Sequence, residues 1–239
     1  MTAYMDEVFA PIDQDHTLER IAGGNETEVY RTDDQRFVVK IKHDLGSDLR
    51  STLITAQLMR AAARTFAACL GEEHSIPSEY VIARDSEGRT QVMVIQPCLA
   101  NARPLAEVDY AALSPAQRDR LGDQLRAIVR RSLTFYRATR NMPDLYGRAS
   151  SSAAERARLK RRRMIPWRLW SFIVKRNLLR SRNLMLCEPD QRIVLVDYDY
   201  VRRSRLYRLI YFTVRWVLFW RDQALITTMK HGWPVPRGH

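Results

Sequence analysis

"NLMLCEPDQRIVLVDYDYV", residues 183–201, is the stretch whose reading decides the fold. Two short apolar runs, LMLC and RIVLV, flank Glu-Pro-Asp-Gln, which predicts a strand, a turn and a second strand. Asn183 opens the first strand, and Asp197 and Asp199 close the second. Such a hairpin gathers an amide and carboxylates at one end, which is costly unless something cationic sits between them. A surface hairpin with a polar end would need no ion, so the rest of the chain must decide.

The chain has 239 residues, 46% hydrophobic and 28% charged, enough to bury a core as one domain or two joined lobes. Three cysteines, Cys69, Cys98 and Cys187, are odd in number and far apart, which reads as reduced thiols in a cytosolic compartment. "MTAYMDEVFAPIDQDH" has neither a basic start nor a long apolar run, so no secretory signal is expected. No stretch reaches the ~18 uninterrupted apolar residues of a membrane span. The nearest, "LIYFTVRWVLFW", carries Arg215 in its middle.

Charge is unevenly distributed. Residues 156–208 hold 16 Lys/Arg and 4 Asp/Glu, a net of +12, while the remainder carries 23 of each sign. Any polyanion partner therefore belongs to that segment and not to the chain at large.

Along the chain, "LERIAGG", "TEVYRT" and "RFVVKIK" read as three strands joined by tight turns. "SDLRSTLITAQLMRAAARTFAACLG" has helical apolar spacing, with Gly71 as its stop. "EYVIAR" and "TQVMVIQP" form a hairpin around "DSEG", and "CLANARPL" reads as a connector. From Ser114 the chain turns helical, with Ser114 and Gln117 as a capping box and Leu121, Leu125, Ile128, Val129 and Leu133 on one face. "NMPDLYGRASSS" breaks that helix, a basic stretch follows, and after the hairpin an aromatic helix starts near Leu206.

This order, β-β-β-α-β-β, connector, helical region and late strand pair, resembles that of kinase-like phosphotransferases. "IAGGNETEVY" resembles their glycine-rich loop, where small residues let backbone N–H groups approach phosphate oxygens. Gly23 and Gly24 are in place, while Ala22 and Thr27 stand where flanking glycines usually are. Alone, a Gly-Gly turn is only a turn. "VVK" resembles the strand signature that makes Lys40 the partner of the α- and β-phosphates, with Val29 eleven residues ahead of it. The family pairs that lysine with a helix Glu; here the helix has none, and Gln57 is the nearest substitute. "VMVIQPCLA" resembles the last strand and hinge, where backbone groups of Gln96 to Cys98 would meet adenine. Asn183 and Asp197, fourteen residues apart across a strand–turn–strand, match the family's metal-binding Asn and Asp, with "DYD" in place of Asp-Phe-Gly. The resemblance thus implies ATP and Mg²⁺ as cofactors.

The family's general base lies five residues before the Asn, and here that position is Leu178. "MPDLYGR" follows the long helix where a catalytic loop begins, so Asp144 becomes the base if the residues after it are an insertion that returns at Asn183. A Pro-Asp turn explains Asp144 equally well.

The expectation is an α+β, protein-kinase-like bilobal fold. Residues 1–96 would form a five-stranded antiparallel lobe with one helix. Residues 97–239 would form a mostly helical lobe carrying a basic insertion, 149–182, and a C-terminal aromatic helix. Few residues follow Asp197 and no Ala-Pro-Glu appears, which resembles compact bacterial enzymes such as lipopolysaccharide core sugar kinases. The implied activity is ATP-dependent transfer to a small-molecule or membrane-borne sugar or lipid acceptor. A pseudokinase that binds nucleotide or acts as a scaffold without turnover fits the missing motifs. A basic membrane-surface or nucleic-acid adaptor on a kinase-like core is the third reading. The basic run reads by default as a solvated face and the aromatic helix as packed into the helical lobe. Trp167, Trp170 and Phe172 within the insertion, and arginines 205, 208, 215 and 221 around the helix, leave open peripheral contact with an anionic membrane face. No RNA motif is visible, and the location expected is cytoplasmic.

Overall fold

The computed structural model describes residues 18–23, 27–42, 48–84, 90–147, 177–188, 190–198 and 205–232. The chain divides into two compact units, one of residues 1–65 and 76–99, the other of residues 66–75 and 100–239.

The first unit is built on an antiparallel sheet. Its strands are β1 (Leu18–Gly23), β2 (Thr27–Thr32), β3 (Phe37–Lys42), β4 (Glu79–Arg84) and β5 (Thr90–Pro97), in the order β1-β2-β3-β5-β4. Alternation decides the faces. Val39, Val81 and Ile95 form a buried cluster joined by Tyr30, Phe37, Ile41 and Met93, all on one side of the sheet. The turn into β3 is fixed by Thr32, whose hydroxyl donates to Asp34 at 2.6 Å and accepts from the Phe37 amide at 3.1 Å. The long helix α1 (Leu49–Leu70) follows, with Thr52, Ala56, Met59, Ala63, Phe66 and Leu70 buried at three- and four-residue spacing. Gly71 ends it at φ 80°, and its amide closes the last turn on Ala67 at 2.9 Å. The helix crosses the division between the units, since its residues from Phe66 onward group with the second.

In the second unit, α2 (Pro115–Thr139) starts from the expected capping box: the Gln117 amide donates to Ser114 Oγ, and the Ser114 amide to Gln117 Oε1. Such a cap contributes about 1 kcal/mol. Its buried face, Leu121, Leu125, Ile128 and Val129, lies against α3 (Arg205–Lys230), which presents Phe212, Leu218, Phe219, Ile226 and Met229 to the core. The opening stretch forms β7 (Leu184–Cys187) and β8 (Arg192–Leu195), paired antiparallel with Leu184 opposite Leu195.

One departure from the sequence reading concerns the connector. Ala102–Pro104 is a short strand, β6, paired antiparallel with β7, so the second sheet runs β6-β7-β8. Its three residues are too few to show a pattern of alternation. The outer edge of β8 is covered by side chains. Gln124 of α2 donates to the Gln191 carbonyl and accepts from the Ile193 amide, both at 2.8 Å, while His74 Nδ1 lies 2.9 Å from the Ile193 carbonyl. Covered in this way, the edge offers little template for another strand. No helix among the described residues is long and apolar enough to cross a membrane.

Candidate functional site

The site in the second unit is built on the loop 141–147, which leaves α2 through Arg140 in the left-handed region at φ 57°. Met142, Leu145 and Tyr146 are buried, so the loop is a core element and not a surface turn. Helix α3 holds it. Arg215, Phe219 and Asp222 lie at i, i+4 and i+7, one stripe of that helix, and all three meet the loop. The Arg215 guanidinium lies over the Tyr146 ring, 4.1 Å from its centroid, and Phe219 stacks on the same ring at 6.1 Å. The Tyr146 hydroxyl donates to Asp222 Oδ2. Arg215, 1% exposed, also forms an ion pair with Asp144, whose side chain is 24% exposed.

The surrounding electrostatics follow from burial. Burial first, and the Asp222 charge second, push the Tyr146 hydroxyl well above the usual phenol range, so it remains a donor. Burial likewise raises the Asp222 carboxyl, against the pull of Arg221, which donates to it at 2.8 Å, of the Tyr146 hydroxyl and of the Leu178 amide. Asp222 thereby ties two parts of the chain, 146 and 178, to one helix.

The chain returns to the loop at Asn177, and a seam of hydrogen bonds joins the two passages. The Asn183 side-chain amide donates to the Asp144 carbonyl at 2.8 Å, across 39 residues. The Arg182 amide donates to the Tyr146 carbonyl at 3.0 Å, and the Ser181 hydroxyl to the Leu145 carbonyl at 2.5 Å. Ser181 Oγ in turn accepts from the amides of Asn183 at 3.1 Å and Leu184 at 2.9 Å, fixing the start of β7. Gly147 completes the fit. At φ +65° it takes a conformation costly for a side-chain-bearing residue, and a Cβ there would lie 2.4 Å from Asn183 Oδ1. Asp144 and Asn183 are thus brought together in one unit. The Val196 amide donates to the Asn183 carbonyl at 2.9 Å, so half-buried Asp197 follows directly from a residue facing Asn183 at the same end of the hairpin.

In the first unit, Val29, Lys40 and Val94 are cross-strand partners in one row, on the face opposite the Val39 cluster. Gln96 continues that face on β5, buried, with its Nε2 2.8 Å from Ser78 Oγ. Lys40 is half-buried; Lys42, two residues on and on the same face, is more deeply buried.

Three placements bear on the sequence expectations. Gln57 is exposed on α1, off its buried stripe. The Cys98 amide donates to the Arg36 carbonyl at 2.7 Å, which extends the β3–β5 pairing and removes that N–H from the hinge set. Arg215 faces the loop and not a membrane. Gly23 ends β1 opposite Glu28, whereas Gly24, Asp199 and residues 149–176 of the basic insertion, with Trp167, Trp170 and Phe172, lie outside the described residues.

Sequence reasoning did not single out Tyr146, Ser181, Arg215 or Asp222 as site residues. A signal existed for two of them: Arg215 and Asp222 interrupt the apolar stripe Phe212, Phe219, Ile226 and Met229 of α3. Charged residues placed on a core face call for partners in the core.

Among the described residues no cluster of three or more His, Cys, Asp or Glu stands ready for a metal. No protein-family model matches the sequence, and no curated protein matches it. Among solved structures the chain is similar to a MAP kinase from Leishmania major, with a TM-score of 0.45 and 12% identity over 94% of this chain. The chain spans 58% of the length of that kinase.

Proposed function

We propose that the chain is an atypical kinase-like phosphotransferase that uses ATP and Mg²⁺ and acts on a small-molecule or membrane-borne sugar or lipid acceptor. The observation that carries this reading is the bond from the Asn183 side chain to the Asp144 carbonyl. It joins a candidate base and a candidate metal ligand that the sequence separates by an insertion. In this reading Asp144 accepts the proton of the acceptor hydroxyl, and Lys40 offsets charge on the α- and β-phosphates.

The donor set suits Mg²⁺. That ion is satisfied by one or two protein oxygens plus phosphates and water, so Asn183 and Asp197 suffice without an acidic cluster. Asn183 commits its Nδ2 to Asp144, which leaves the oxygen as the atom of that amide suited to a hard cation. Bound there, the ion would supply charge neutralisation to the phosphate oxygens.

A nucleotide-binding protein without turnover is the second reading, and the Arg215 ion pair favours it. A carboxylate engaged by a guanidinium and by the Tyr146 amide at 3.2 Å is less available to a substrate proton. Calorimetric titration with Mg-ATP, combined with a phosphate-transfer assay, separates the readings. Asp197→Asn is expected to abolish metal-dependent nucleotide binding and Asn183→Ala to weaken it less, since the amide carries no charge to lose. Unchanged affinity in Asp197→Asn overturns both readings, and binding without transfer to sugar or lipid acceptors selects the second.

A further inference from the structure

Helix α3 has a second face that the site does not use. Leu209, Trp216, Val217 and Trp220 are 58%, 43%, 55% and 66% exposed, large apolar side chains within three turns of one helix. The two indoles meet edge to face, their centroids 6.2 Å apart. Thr213, between Leu209 and Trp216, donates its hydroxyl back to the Leu209 carbonyl at 2.8 Å, so the one polar group in the stripe is satisfied by its own helix. The opposite stripe, Phe212, Arg215, Phe219, Asp222 and Ile226, is buried. The helix is therefore apolar on both sides, and burial in the second unit accounts for only one of them.

We propose that this outer stripe docks the protein on the surface of an anionic lipid bilayer, with Trp216 and Trp220 at the level of the headgroups. Tryptophan suits that depth because its ring is apolar while its N–H remains a donor. The charge pattern fits the same partner. Arg202, Arg203, Arg205 and Arg208 immediately precede the stripe, and the sequence from 202 to 221 contains no acidic residue. At helical spacing, residue 205 falls on the same stripe as Leu209, Trp216 and Trp220. Basic residues next to interfacial aromatics are drawn to anionic headgroups, each by a modest amount that adds up. A second copy of the chain is a poorer match. From Leu209 to Trp220 the stripe is about 17 Å long and about one helix wide, on the order of 200 Å². A stable protein interface buries about 800 Å² on each partner.

The inference does not depend on the phosphotransferase reading, and its test needs no nucleotide. The full chain is mixed with vesicles of phosphatidylcholine alone, or of phosphatidylcholine and phosphatidylglycerol in equal parts. Co-sedimentation and tryptophan emission are then recorded. The wild type is expected to partition onto the anionic vesicles with a blue-shifted emission. Trp216→Ser/Trp220→Ser should bind at least about tenfold more weakly with a melting temperature lowered by no more than about 4 °C, because Trp220 is mostly and Trp216 partly exposed. Trp220→Ser alone should give an intermediate loss, which guards against a folding defect in the double variant. Absence of partitioning by the wild type overturns the proposal, as does undiminished partitioning of the double variant. A wild-type dimer in light scattering that the double variant converts to monomer assigns the stripe to a second copy and overturns it too.

Discussion

The ion pair between Arg215 and Asp144 is asymmetric, and removing either member should expose that asymmetry. The Arg215 side chain is 2% exposed, whereas that of Asp144 is 24% exposed. Asp144→Asn takes the carboxylate of this ion pair away from a guanidinium deep in the core. Breaking a buried pair in this way costs about 3–5 kcal/mol. The Tyr146 ring and the remaining amide oxygen still engage the guanidinium, which places the loss near the lower end, about 3 kcal/mol. Arg215→Met removes the more deeply buried charge and fills most of its volume with a flexible apolar chain. The carboxylate left behind reaches water and keeps the Tyr146 amide at 3.2 Å, so about 1–2 kcal/mol is expected. In thermal unfolding at neutral pH, Asp144→Asn should lower the midpoint by about 6–12 °C and Arg215→Met by roughly half as much. The double variant should be no less stable than Asp144→Asn alone, because it removes the buried guanidinium together with the carboxylate it pairs with. A larger loss for Arg215→Met than for Asp144→Asn, or strictly additive effects in the double variant, would refute the reasoning. The result also governs how an Asp144→Asn activity assay is run: loss of turnover identifies a base only at temperatures where that variant is folded.

Gly147→Ala forces a left-handed residue and a Cβ onto Asn183 Oδ1, so a stability loss of about 2 kcal/mol is expected, with metal–nucleotide affinity reduced about as far as in Asn183→Ala. Unchanged affinity in Gly147→Ala would show that the fit between Gly147 and Asn183 does not matter to binding. His74 is held neutral, because burial lowers its pKa from the usual 6.5, against the Ile193 carbonyl, which favours the proton. Its contribution to stability is complete above about pH 6.5 and is lost as the pH falls through the lowered value. His74→Gln keeps a donor for Ile193 and should flatten this acid-side decline in melting temperature; an equally steep decline in the variant would assign it to other groups.

The first unit was legible because its strands alternate and are bounded by turn residues. All five strands stand where β-branched and aromatic spacing puts them, and the Ser114–Gln117 cap marks the start of α2. The hairpin at 183–197 was legible for the same reason. Contacts between distant residues were not. The bond from Tyr146 to Asp222 spans 76 residues, and no local pattern encodes it. The direction of Arg215 is not legible, because basic residues among aromatics look alike whether their helix faces lipid or core. Nearness to a family position says nothing of helical phase, and Gln57 lies off the buried stripe set by Ala56 and Met59. The family resemblance points to the candidate residues, and phase decides their direction.

The seam between residues 144–147 and 181–183 also has a kinetic side. About five residues separate a pair that one local turn brings together. Here 39 do, and nearly three doublings of loop length raise the entropy cost of closure by about 2 kcal/mol. That cost falls early in folding, before the contacts that reward it have formed, which is the condition under which long-range pairing slows a reaction. The three bonds from Ser181, Arg182 and Asn183 to the loop carbonyls act afterwards, as a latch on a loop already closed. Replacing residues 149–176 with a short Gly-Ser linker should therefore accelerate refolding more than it slows unfolding. The spacing between Asp144 and Asn183 would then set how fast the site assembles, while the seam sets how long it lasts.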